Sequence, residues 1–108
     1  MIFLASCFAI AGERQVDSLK NRLSTSEGNE RVKIQISLMR ELQRSASQEA
    51  IDYGDDALVL LKEYPDNELM IEVLYYKGWA YLHMNELDSA KVYATITGEA
   101  ARNAGMSR

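Results

Sequence analysis

Residues 67–103 read NELMIEVLYYKGWAYLHMNELDSAKVYATITGEAARN. The stretch divides at Met84-Asn85. Before that point Met70, Val73, Leu74, Tyr81 and Leu82 recur at helical spacing with Trp79 beside them, which predicts a helix from about Glu68 to Met84. After it, a second helix is predicted from about Leu87 to Asn103, ending at Gly105. Asn85 suits the left-handed residue of the tight turn between them. The unit is a helix hairpin, and a lone hairpin cannot bury its own apolar face.

The same pattern extends toward the N-terminus. Ile34, Leu38, Met39 and Leu42 predict a helix from about Glu30 to Arg44. A third helix follows the break at Ser45–Gln48, with Ala50, Tyr53, Ala57, Leu58, Leu61 and Tyr64 on one face. Ser45 and Gln48 have the spacing of a capping box. Pro65-Asp66-Asn67 stops the third helix and offers a cap to the fourth. A shorter stripe, Val16, Leu19 and Leu23, lies within Glu13–Leu23, and Thr25–Asn29 breaks it with loop residues. Gly54 sits inside a helical pattern, at about 1 kcal/mol against alanine. No segment alternates apolar and polar residues over a strand length. The expected fold class is all-α.

Sliding the chain along itself by forty residues places Ile34 on Leu74, Leu38 on Gly78, Leu42 on Leu82, Ala50 on Ala90 and Tyr53 on Tyr93. The hairpin is used twice. Within the second copy, Leu74-x-x-Lys77-Gly78-x-x-Tyr81 followed by Ala90 resembles the tetratricopeptide repeat. Gly78 and Ala90 stand where that pattern has small residues at a close helix crossing, and Tyr81 where it has a large aromatic. The sequence departs from it at Lys77, where leucine is common, and at Ala94, where an aromatic is expected. In the first copy Leu38 and Glu41 replace the glycine and the tyrosine. The resemblance covers about residues 30–104. It implies antiparallel helix hairpins stacked as an α-solenoid fragment, similar to the sensor regions of bacterial signalling proteins. The corresponding division is 1–11 a signal-type apolar segment, 12–28 a helix and loop, 29–66 a first degenerate hairpin and 67–105 a second. Two repeats fall short of the three or so that a free-standing array needs, which points to a piece of a longer array.

The resemblance also implies a function. The first helix of each hairpin would line a concave groove for a peptide or protein segment. The groove residues would be Gln35, Met39 and Gln43 from one hairpin and Tyr75, Trp79 and His83 from the next, each set at spacing four on one helix face. Tyr and Trp suit anchoring because they offer much contact area with few rotors. Trp79 packed as core between hairpins is an equal alternative. A structural spacer, or a self-association module stacking on further repeats, is the rival from another class. An exposed apolar face around Val92, Ile96 and Ala100 would favour that rival.

Composition narrows the remaining classes. The chain has 108 residues, 47% of them hydrophobic, enough for one domain. Lys plus Arg number 12 against 16 Asp plus Glu, for a net charge of -4 and no basic run, which argues against nucleic acid as a partner. One cysteine, Cys7, permits no intrachain disulfide, and with the single His83 it leaves too few ligands for a metal site. Glu49, Asp52, Asp55 and Asp56 cluster on what reads as a solvated helix face rather than as a hydrolytic pair. No Gly-x-Ser-x-Gly elbow or phosphate-cradling loop is present. The expectation is therefore no enzyme, no cofactor and no metal.

The first eleven residues, MIFLASCFAIA, are uncharged and almost wholly apolar. They are too few to cross a membrane, which takes about 20, but match the apolar core of a secretory signal, typically about 7–15 residues. Ala9-Ile10-Ala11 offers a cleavage site after Ala11. Leu4-Ala5-Ser6-Cys7 resembles the lipobox of bacterial lipoproteins and offers a lipid anchor at Cys7. A short apolar helix capping the first repeat is a third reading. The expected location is exported and periplasmic, with the cytoplasm as the alternative. A membrane is expected only through such an N-terminal signal or anchor, or through a further C-terminal part.

Overall fold

The protein is described by a computed structural model covering residues 15–105. All regular structure among these residues is helical: α1 (15–23), α2 (Gly28–Leu42), α3 (Ser47–Glu63), α4 (Asn67–His83) and α5 (Leu87–Asn103). The segment read as a signal or lipid anchor, residues 1–11, lies outside the described residues.

Local chemistry sets several of the boundaries. The Asp66 carboxylate accepts a hydrogen bond from the backbone N–H of Leu69 at 3.0 Å, capping α4. Asn85 adopts φ 62 in the turn between α4 and α5, a conformation asparagine tolerates better than most residues. Gly105, at φ 73, follows the end of α5. The capping box expected at Ser45 and Gln48 does not form. The turn after α2 is closed by the backbone bond from Ala46 N–H to Leu42 O at 2.8 Å, so Ala46 precedes α3 and no side chain caps it. Ser45 is left exposed, and the Gln48 amide donates to Asp52 instead, at 3.1 Å.

The core lies among α2, α3 and α4. From α2 to α5 each helix packs on its neighbour in sequence, and α4 also packs on α2. Val32, Leu38, Met39, Ala50, Ala57, Val73 and Ala80 have no exposed surface. Each large apolar side chain among them contributes about 1.5–3 kcal/mol relative to exposure, while the alanines let the helices approach. Leu19 of α1 is buried against this core, with Val16 and Leu23 packed beside it.

The tightest crossing is not at Gly78. A Cβ there would meet only Tyr93 Cβ, at an ordinary 3.5 Å. At Gly54 a Cβ would lie 2.6 Å from Met39 Cε and 3.0 Å from Lys77 Cγ, so the absent side chain is what admits those neighbours from α2 and α4. By contrast, α5 packs on α4 alone among α2–α5 and contains no buried residue.

Candidate functional site

On α4, Tyr75, Trp79 and His83 follow one another at spacing four and form a ladder of rings. Tyr75 meets Trp79 edge-on at 6.3 Å between centroids, and Trp79 stacks on His83 at 5.9 Å. The ladder stays open to solvent, with Tyr75 49% and Trp79 40% exposed. Among the described residues Trp79 therefore lies at the surface.

The ladder forms a wall between two concavities. On one side is a recess of about 280 Å³, whose opposite wall is Arg40, Gln43 and Arg44 at the end of α2. Arg40 and Arg44 are exposed, and Gln43 is half-buried with its Oε1 enclosed and lacking a hydrogen-bond partner. On the other side is a cleft of about 620 Å³ between α4 and α5. Gly78 and Leu82 belong to its α4 wall, and Leu87, Lys91, Ala94 and Gly98 to its α5 wall. Leu82 and Leu87 are 43% and 57% exposed, an apolar surface that is open where a core would be closed.

Of the six residues expected to line one groove, the structure brings four to the recess: Gln43, Tyr75, Trp79 and His83. It places the other two elsewhere. Gln35 and Met39 are 1% and 0% exposed, because α4 crosses α2 over that stripe and Met39 reaches Gly54 on α3. Only Gln43, beyond the last turn of α2, emerges from under the crossing. Buried as they are, Gln35 and Met39 offer no surface to a partner. Arg40 and Arg44, also at spacing four, complete the recess and were not singled out from the sequence.

Lys77 is the other residue missed. It is 4% exposed, with its ammonium donating to Asp55 of α3 and, at 2.9 Å, to the Tyr93 hydroxyl of α5. Burial alone would lower its pKa, but the hydrogen bonds and charges of Asp55 and Tyr93 outweigh that and raise it above the ordinary 10.5. A nucleophilic lysine needs the opposite shift, so this ammonium stays charged and ties α3, α4 and α5 together. The acidic cluster around it is likewise engaged in part: Asp55 holds Lys77, and Glu49 meets Lys20 of α1 at 3.0 Å.

No set of three metal-binding side chains converges among the described residues, and none of the helices there is long and apolar enough to cross a membrane. Compared with family models, curated proteins and solved structures, the chain matches none of them.

Proposed function

We propose that the chain is a protein-interaction module of tetratricopeptide type, a short α-solenoid of helix hairpins that takes a peptide or protein segment in the recess between α2 and α4. The observation that carries this is the exposed ladder Tyr75–Trp79–His83 facing Arg40, Gln43 and Arg44. The rings supply rigid contact area, and the guanidinium groups offer donors to carbonyls and carboxylates. The apolar residues 1–11 support placing the module in an exported or membrane-linked signalling protein. A second reading, stacking on further repeats or on other copies, is favoured by the exposure of Val92 and Ile96, at 54% and 38%.

The test is selection of a random twelve-residue peptide library on the purified protein, followed by titration of the enriched peptides. Replacing Trp79 with alanine should weaken them by about 30-fold, the loss typical of an interface anchor, and Arg44→Glu should discriminate against acidic peptides. Enriched peptides that bind the Trp79→Ala protein unchanged would sink the recess reading, as would a selection that enriches nothing.

A further inference from the structure

We propose that His83 makes the recess between α2 and α4 acid-sensitive, so that an anionic peptide segment is held more tightly as the pH falls from neutral to mildly acidic. This rests on the recess reading and adds to it the regulation of the same site.

The recess has a local charge opposite to that of the whole chain. Acidic residues outnumber basic ones 16 to 12, yet no carboxylate is among the side chains lining the recess. Arg40 and Arg44 stand on the α2 side and His83 on the α4 side, with the rings of Tyr75, Tyr76 and Trp79 between. Arg40 reaches Glu41 only at 3.8 Å, with its side chain 55% exposed, so most of its charge remains available. Among the described residues neither Arg44 nor His83 takes part in an ion pair. An anionic segment therefore meets complementary charge here that the rest of the surface does not offer.

His83 makes that charge depend on pH. It is the single histidine of the chain, and imidazole is the side chain that ordinarily gains its charge between pH 8 and 5. Two features of its place suit the imidazolium. The ring stacks on Trp79 at 5.9 Å and 29°, within reach of a cation–π interaction. It also stands in the last turn of α4, where the free carbonyls favour a positive group. Arg40 and Arg44 across the recess oppose the added charge. A carboxylate bound between the two walls cancels that opposition, so proton and anion assist one another.

The other neighbours leave this balance to the recess itself. Helices α3 and α5 pack on α4 but contribute nothing to the lining. On α3, Asp55 is engaged by Lys77, and Glu49 by Lys20. The acids nearest to His83 along the chain, Glu86 in the turn and Asp88 at the start of α5, are exposed and lie outside the lining.

The probes are two end-blocked hexapeptides carrying rhodamine, whose emission is insensitive to pH. One alternates glutamate with leucine, the other glutamine with leucine. Glutamate ordinarily titrates near pH 4.3, so the acidic probe stays largely ionised at pH 5.5. Fluorescence anisotropy should show the acidic probe binding about threefold more tightly at pH 5.5 than at pH 7.5, the gain of one partly screened charge pair. The glutamine probe should bind equally at both. His83→Gln and His83→Arg should each bring the ratio for the acidic probe to one, the first by removing the proton site and the second by fixing the charge. Glu86→Gln should keep the threefold ratio. The C2–H proton resonance of the sole imidazole should titrate in the free protein, and its midpoint should move to higher pH once the acidic probe is bound. Circular dichroism at both pH values checks that the helices are intact. Equal binding of the acidic probe at the two pH values, or a ratio that survives in His83→Gln, overturns the inference and leaves the recess reading standing. No binding of either probe at either pH removes both.

Discussion

Three helical glycines form an internal experiment on packing. Replacing a glycine inside a helix with alanine gains about 1 kcal/mol of helix propensity when the new methyl meets nothing. Gly98 satisfies that condition, with no heavy atom within 4 Å of a Cβ. Gly54 does not. Its Cβ would lie 2.6 Å from Met39 Cε and 3.0 and 3.2 Å from Lys77 Cγ and Cδ. Met39 is fully buried and has no solvent to retreat into, and the Lys77 stem is pinned by the bonds of its ammonium to Asp55 and Tyr93. Overpacking of this kind costs about 1–3 kcal/mol, so Gly54→Ala should be net destabilising by about 1 kcal/mol despite its better propensity. In a domain of this size 1 kcal/mol moves the melting midpoint by about 4–8 °C. Thermal melts followed at 222 nm should therefore show Gly98→Ala rising and Gly54→Ala falling, with Gly78→Ala close to Gly98→Ala because its contact is an ordinary 3.5 Å. If Gly54→Ala melts at or above the Gly98→Ala midpoint, the close crossing of α2, α3 and α4 is not what holds that glycine in place.

Because the folded-state pKa of Lys77 is raised, its contribution to stability is fully present below the unfolded value of 10.5 and is lost as pH climbs through the higher folded value. Urea denaturation should show Asp55→Asn less stable at pH 7 by about 1 kcal/mol, the low end for a charged hydrogen bond because the Asp55 side chain is 56% exposed. The variant should also lose less than the wild type above pH 10.5. The two candidate helix caps separate in the same assay: Asp66→Ala should cost about 1 kcal/mol through the lost bond to Leu69 N–H, whereas Ser45→Ala, at a residue that caps nothing, should leave the midpoint unchanged.

Periodicity made the helices legible, and local chemistry made several of their ends legible. Asp66 and Asn85 act as their residue types predict, and α5 runs over Leu87–Asn103 as expected. The capping box failed because a Ser-x-x-Gln spacing says nothing about how many residues the preceding turn uses, and the backbone closed that turn one residue later. The candidate site was half legible. Spacing four correctly aligned Gln35, Met39 and Gln43 along one stripe, but which stripe of α2 faces solvent depends on where α4 crosses it. That is a tertiary fact no local pattern contains. Burial of Lys77 was hidden for a related reason. A lysine in an apolar stripe reads as a departure from the pattern until its partners are known, and these lie 22 residues before it and 16 after it.

Trp79 is the sole tryptophan of the chain, and it stands in the wall that the recess and the cleft share. At 40% exposure and stacked on His83, its indole emits from a half-solvated setting beside an imidazole. A ligand on either side dries the same ring, so one fluorophore, with no label added, reads out occupancy of both concavities. The shared ring is also the place where two ligands, one on each side, would be coupled. If filling the cleft shifts the ring and changes affinity in the recess by some factor, filling the recess must change affinity in the cleft by that same factor.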